Sequence, residues 1–261
     1  MIHQPKNLFF ITCSVCLCGV IGLIIVAGNG CNGPKASATD TTRPQSRRQP
    51  EASMSPTLDS IVIRSGQSKA VSRKVVAIHG LGDSPEHFSM LFKERPLPAD
   101  IVLPRASTRF GPGGSWFDVA IPVRDTPKHT LKKDVAQATQ TLCQFISGPQ
   151  FDRPPVVTGF SQGGILTFSM AVTCPDKVHA AVPVSGLLAI DTVQGTDLPP
   201  IVALHGTDDE TVDYARGKES VRKLQQMGAN AEFIEFQGIS HSISPQMHQV
   251  WFDTIEKFLK E

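Results

Sequence analysis

The five residues Gly159-Phe160-Ser161-Gln162-Gly163 constrain this chain more than any other stretch of it. A serine between two glycines follows an apolar run, Pro155 to Thr158, and precedes a stretch opened by Gly164 in which Ile165 to Ala171 can form an apolar helix. The β-branched Val156-Val157-Thr158 reads as a buried strand. Passing from such a strand into a helix through one serine demands a sharp turn with strained backbone angles, and the backbone comes so close that only glycine fits at the flanking positions. The serine oxygen then stands exposed above a sheet. Alone, the five residues also suit an inert glycine-rich loop; the strand before them and the helix behind argue for the reactive turn.

Such an elbow needs an acid and a base later in the chain. The run Pro200-Ile201-Val202-Ala203-Leu204 reads as a buried strand and empties into the acidic loop His205-Gly206-Thr207-Asp208-Asp209-Glu210-Thr211-Val212. Further on, Glu232-Phe233-Ile234-Glu235-Phe236 alternates like an edge strand, then comes Gly238-Ile239-Ser240-His241-Ser242, then a last helix from about Pro245 to Leu259. His241 is the candidate base, in the loop between the final strand and the final helix. His248 falls within that helix as a surface or packing residue, and His205, directly after a strand, suits bracing of the acidic loop. Either Asp208 or Asp209 can face the imidazole on this reading.

Acyl transfer also needs two backbone N–H groups aimed at the oxygen that becomes negative. One is that of Gln162, the residue after the serine. The other is expected from the loop His79-Gly80-Leu81-Gly82-Asp83 after the strand Lys74 to Ile78, where the glycines let the backbone curl and leave the Leu81 N–H as donor.

His79-Gly80-Leu81-Gly82-Asp83, Ser115-Trp116-Phe117-Asp118, Gly159-Phe160-Ser161-Gln162-Gly163-Gly164, His205-Gly206 with Asp209, and His241-Ser242 occur in that order from about residue 70 onward. In these pieces the chain resembles the carboxylesterase and phospholipase group of α/β-hydrolases that includes the acyl-protein thioesterases. The resemblance implies a Ser161-Asp209-His241 triad, the acid being the second aspartate of a His-Gly-Asp-x-Asp pattern. The first is Thr207 here, which puts the bracing of that loop in doubt, and Glu210 replaces a proline and adds negative charge. The resemblance also sets Trp116 and the glycine-rich loop between Arg105 and Ser115 at the acyl pocket, with core packing the competing role for Trp116.

These residues imply hydrolysis of small-molecule carboxylic esters, short- to medium-chain acyl esters with lysophospholipids or thioesters as variants, through an acyl-enzyme and without cofactor. Alternatives are cyclic or polymeric esters, short peptides, or a silent surface-tethered binding protein. Eight histidines and six cysteines show no metal-ligand spacing. Nothing in a formal net charge of only +1 favours nucleic acid, and no nucleic-acid partner is expected.

The N-terminus speaks to location. After Lys6, Leu8 to Ala27 is uncharged and mostly apolar, an export signal or membrane anchor. It can end at Ala36-Ser37-Ala38, at a degenerate lipobox Gly28-Asn29-Gly30-Cys31 with Cys31 lipidated, or nowhere, as a retained anchor. The closeness of Cys31 to the apolar core favours the lipoprotein ending. Residues 32–58, rich in Ser, Thr, Pro, Arg and Gln, read as a disordered linker after a leader of residues 1–31. Residues 59–261 then form the catalytic domain. Cys143 and Cys174 fall on predicted helices flanking the elbow strand, where an oxidising compartment could join them; the sequence leaves their redox state open. The expected architecture is α/β, one mostly parallel sheet with helices on both faces, strands near 60–65, 74–79, 100–104, 155–160, 179–184, 200–205 and 231–236, and a helix from Leu131 to Ile146. Oligomeric state leaves no mark on the sequence.

Overall fold

The structure, a computed structural model, describes residues 58–65, 73–191 and 197–261. The leader and most of the linker lie outside the described residues. Among those described, no helix is long and apolar enough to cross a membrane.

Among the described residues nine strands and five α-helices follow one another: β1 (Ser60–Ile63), β2 (Val75–Ile78), α1 (Pro85–Glu94), β3 (Ile101–Pro104), β4 (Thr108–Phe110), β5 (Gly113–Ser115), α2 (Lys128–Phe145), β6 (Val156–Phe160), α3 (Gln162–Thr173), β7 (Ala180–Val184), β8 (Ile201–Gly206), α4 (Tyr214–Gln226), β9 (Ala231–Phe236) and α5 (Pro245–Lys260). Seven strands form one sheet in the order β1-β3-β2-β6-β7-β8-β9. Within this sheet only β1 runs antiparallel to its neighbour. All seven expected strands are present, shifted by at most two residues at an end, and α2 starts three residues before its expected start, directly after Pro127.

The central strands are apolar on both faces because both faces are covered. Val76 and Ile78 pack with residues of α2, α3 and α4, whereas Val75 and Ala77 pack with Phe88 and Phe92 of α1 and with α5. Helix α5 shows how sequence period sets the contact: Met247, Trp251, Ile255 and Phe258 recur on one stripe and are all buried. Each such side chain contributes about 1.5–3 kcal/mol when fully removed from water. The Trp251 indole N–H, which must be satisfied when buried, donates to Thr158 Oγ1 at 2.7 Å, in the strand that leads to the serine. Ser84, Asp213 and Ser244 cap α1, α4 and α5 by accepting a backbone N–H three residues on.

The structure adds a two-stranded hairpin, β4–β5, where sequence suggests only a glycine-rich loop. Its strands are three residues long and β4 is exposed throughout, so no apolar alternation marks it. The turn is Gly111-Pro112, with Gly111 at φ +56° as the first turn position of a primed hairpin requires. Cys143 at the end of α2 is disulfide-bonded to Cys174 after α3.

Candidate active site

The carboxyl ends of β2, β6, β8 and β9 carry the expected loops, as open parallel sheets place their sites. Ser161 sits at φ 59° and ψ −116° between β6 and α3. A non-glycine residue in that region costs of order 1–3 kcal/mol and persists only where its surroundings force it. The forcing is visible at the flanking glycines. A methyl on Gly163 would lie 1.9 Å from the Ile78 carbonyl oxygen, and one on Gly159 would lie 2.6 Å from the same atom. The Ser161 N–H donates to Val184 O at 3.1 Å, tying the turn to β7.

His241 reaches in from the loop after β9. Its Nε2 lies 2.9 Å from Ser161 Oγ and its Nδ1 lies 2.8 Å from Asp209 Oδ2. The carboxylate accepts, so Nδ1 carries the hydrogen and the Nε2 lone pair faces the serine hydroxyl. Phe160 stacks on the imidazole, ring centroids 4.8 Å apart, and holds its plane. Neither the stacking nor the hairpin is marked by any sequence signal beyond the nearness of Phe160 to the serine.

Asp209 is almost fully buried. Its Oδ1 accepts the N–H groups of Thr211 and Val212 at 3.0 and 2.9 Å, and His205 Nε2 stands 3.4 Å from Oδ2. Burial by itself pushes the carboxyl pKa up, yet the hydrogen bonds from His205 and His241 and the nearness of both rings hold it well below the usual range. His205 also donates from Nε2 to Val212 O at 2.8 Å, which is the loop-bracing position expected of it, at the carboxyl end of β8. Asp208 is exposed; its carboxylate accepts the Thr207 hydroxyl, and its backbone N–H donates to Ile239 O. The doubt raised by Thr207 is resolved by that same hydroxyl, which accepts the Gly238 N–H at 2.9 Å and so ties the acid's loop to the turn before His241.

The His79–Asp83 loop and the start of α3 stand on the other side of the serine. His79 is buried, its Nδ1 2.8 Å from Gly80 O and its Nε2 accepting the Ala106 N–H at 3.4 Å. These partners fix the neutral tautomer, and burial pushes its pKa below the ordinary histidine value. Trp116 is 8% exposed and donates its indole N–H to His79 O at 3.0 Å, so it packs under this loop. The side chain of Gln162, expected to matter only through its backbone, is buried and hydrogen-bonded to Ser115, Trp116 and Phe117. A cavity of about 330 Å³ opens beside the loop, lined by Leu81, Phe110, Val119, Ala120, Pro127 and Thr130 among others. Among the described residues no group of His, Cys, Asp and Glu is arranged to hold a metal ion.

A doubly covered, mostly parallel sheet with a serine elbow at its centre defines an α/β-hydrolase. The chain belongs to the phospholipase/carboxylesterase family, whose profile matches residues 58–260. It is 28% identical over 207 residues to a probable carboxylesterase, SOBER1-like, of Arabidopsis thaliana, covering 72% of this chain and 78% of that one. It is 26% identical over 215 residues to acyl-protein thioesterase 1 of Gibberella zeae, covering 72% and 89%. The crystal structure of Zea mays acyl-protein thioesterase 2 superposes with a TM-score of 0.64 at 24% identity, over 77% of this chain and 99% of that one. The protein is thus a hydrolase of the carboxylesterase and thioesterase class.

Proposed function

We propose that the protein is a serine esterase that cleaves short- to medium-chain carboxylic esters through Ser161, His241 and Asp209. The observation that carries this reading is the hydrogen-bonded series from Ser161 Oγ through both nitrogens of His241 to the buried Asp209. His241 Nε2 takes the hydroxyl proton as Ser161 attacks the ester carbonyl, and Asp209 stabilises the imidazolium that forms. The backbone amides of Leu81 and Gln162 hold the oxyanion. Collapse breaks the bond to the alcohol or thiol, which leaves with the proton from His241. Water, deprotonated by the same nitrogen, then releases the acid and regenerates the serine.

The cavity beside Leu81 is the acyl site in this reading. At about 330 Å³ it lies at the lower end of ligand pockets, which favours short and medium chains over long fat. Ser115 and Asp118 line it on either side of Trp116 in sequence, so Trp116 backs the wall that substrate meets. Lysophospholipids and thioesters fall within the same chemistry. A rice relative, 25% identical, is named a probable inactive carboxylesterase; the intact hydrogen-bonded series here supports turnover instead.

The test is a chain-length series of nitrophenyl esters, with matched amides and thioesters, on the full-length wild type and on Ser161→Ala, beside fluorophosphonate labelling read by mass spectrometry. The expected result is turnover of short and medium esters, label on Ser161, and a loss on the order of 10⁴–10⁶-fold in the variant. Absence of both turnover and label from the folded wild type would overturn the reading in favour of a silent binding protein.

We further propose that the enzyme is exported and membrane-tethered or released beyond the cytoplasm. The Cys143–Cys174 disulfide supports an oxidising compartment, and the apolar stretch from Leu8 to Ala27 supplies the signal. Recovery of the chain from the cytosolic fraction with both thiols open to alkylation would overturn this.

A further inference from the structure

The two amides assigned to the oxyanion hole come from loops about eighty residues apart in sequence, and both must sit about 2.7–3.1 Å from one developing charge. The sheet fixes the ends of β2 and β6, which pair from Val75 with Val156 to Ile78 with Gly159. Gln162 follows β6 almost directly. Leu81 lies three residues beyond the end of β2, in a loop whose course the sheet does not determine.

One segment, Gly113 to Phe117, makes hydrogen bonds to both loops. Toward the first, Gly82 N donates to Gly114 O at 2.8 Å, Gly114 N donates to Asp83 O at 2.9 Å, and the Trp116 indole donates to His79 O at 3.0 Å. Leu81 is therefore bracketed by partners of the segment on both sides in sequence. Toward the second, Trp116 N donates to Gln162 Oε1 at 3.0 Å, while Gln162 Nε2 donates to Phe117 O at 2.8 Å and to Ser115 Oγ at 3.3 Å. Ser115, Trp116, Phe117 and Gln162 are all buried. Loss of the Gln162 amide would leave the Trp116 N–H without this partner in a region water does not reach, and would leave the Phe117 carbonyl with the Ser115 hydroxyl in place of two donors.

We propose that Gly113–Phe117 is a positioning strap that sets the separation of the Leu81 and Gln162 amides, anchored at one end by the Gln162 side chain and at the other by Gly114 and the Trp116 indole. Gln162 thereby serves twice, its backbone as an oxyanion donor and its side chain as a positioning group. This rests on the oxyanion assignment made above. The strap also carries the hairpin whose Phe110, with Leu81 and Ser115, lines the acyl cavity. One segment thus fixes both the hole and one wall of the pocket.

The experiment uses the full-length chain with Gln162→Leu, which loses all three side-chain bonds at similar volume, and Trp116→Phe, which loses one bond and keeps most of the packing. Each is measured for kcat and KM on nitrophenyl esters, for inhibition by an alkyl trifluoromethyl ketone, and for melting temperature. The ketone adds reversibly to the serine and leaves an oxyanion in the hole. We expect kcat of Gln162→Leu to fall about 10- to 100-fold, as an amide displaced by roughly 1 Å implies. KM stays within about twofold, and the ketone's inhibition constant rises by the same factor as kcat falls. Trp116→Phe shows the same pattern with a smaller factor, and it carries the test if Gln162→Leu does not fold.

Wild-type turnover and ketone binding in both variants, alongside a dead Ser161→Ala, would overturn the strap and leave the esterase reading standing. Loss of activity that only follows the melting temperature, with ketone affinity of the folded fraction unchanged, would also overturn it. Full activity in Ser161→Ala would instead remove the esterase reading itself.

Discussion

The two sides of Ser161 are built from different materials. On the base side, named for the role proposed for His241, side chains stand in series: a buried carboxylate, an imidazole and a hydroxyl, joined by hydrogen bonds of 2.8 and 2.9 Å. On the oxyanion side, named for the hole proposed above, the groups given that role are backbone amides, and the side chains around them, His79, Trp116 and Gln162, are buried and hydrogen-bonded to backbone. The first side fails when one functional group is deleted. The second fails when a loop is displaced, whichever residue displaces it.

Asp209→Asn breaks the base side with the least change of shape, and among substitutions that keep the serine it carries the largest effect expected. The asparagine oxygen can keep the Thr211 and Val212 amides, so its NH₂ turns toward His241 Nδ1. The ring must then place its hydrogen on Nε2, facing the serine, and it can no longer accept the hydroxyl proton. A fall in kcat of about 10³–10⁴-fold follows. A loss below tenfold would show that Asp209 does not fix the tautomer.

The same residue also sets a response to acid. Its folded pKa is depressed relative to the unfolded chain, so its ionised form stabilises the fold above the unfolded value near 3.9 and that contribution is lost as pH falls below it. Between pH 6 and pH 3 the wild-type melting temperature should therefore drop more steeply than that of Asp209→Asn. Parallel slopes would place the acid sensitivity elsewhere.

Gly113→Ala tests the other side by displacement alone. A methyl there would stand 2.3 Å from the Asp83 carbonyl oxygen and 2.5 Å from that of Gly82, so the loop or the hairpin must move. Both contacts are backbone atoms of the two residues that follow Leu81. We expect about a 10²-fold fall in kcat/KM with the Ser161–His241–Asp209 series untouched. Retained ketone affinity together with full turnover would mean that the loop moves without disturbing the hole.

The contrast also explains what was legible in the sequence. Ser161, Asp209 and His241 are reactive residue types at ends of strands whose apolar runs are plain to read, and the structure brings these three together. The sheet was legible for the same reason: strands buried on both faces, such as Val75–Ile78 and Val156–Phe160, appear as short continuous apolar stretches. The hairpin was not, because Thr108-Arg109-Phe110 is exposed throughout and Gly113-Gly114 has no side chains to alternate. Gln162 was read for its position, whereas its side-chain role depends on where a segment some 45 residues earlier comes to rest. Phe160 was read as strand, yet its ring lies against the base. Side-chain chemistry is written in residue type; backbone placement arises from tertiary pairings that no local pattern encodes.

The smallest effect concerns a second serine. Among the described non-glycine residues, Ser161 and Ser185 alone have positive φ, 59° and 47°. They stand on neighbouring strands, since Ser161 N donates to Val184 O and Ser185 N donates to Leu204 O. Ser161 Oγ meets His241, but Ser185 Oγ is buried without a hydrogen-bond partner. A buried orphan hydroxyl costs about 1–3 kcal/mol, and nothing in the base or oxyanion side returns that cost. Ser185→Ala removes the hydroxyl and leaves the backbone unchanged, so it should raise stability by about 1 kcal/mol, or roughly 2–4 °C in melting temperature, without altering kcat. A fall in kcat would reveal that Ser185 supports the elbow through its hydroxyl, and the division of the site into two sides would need a third part.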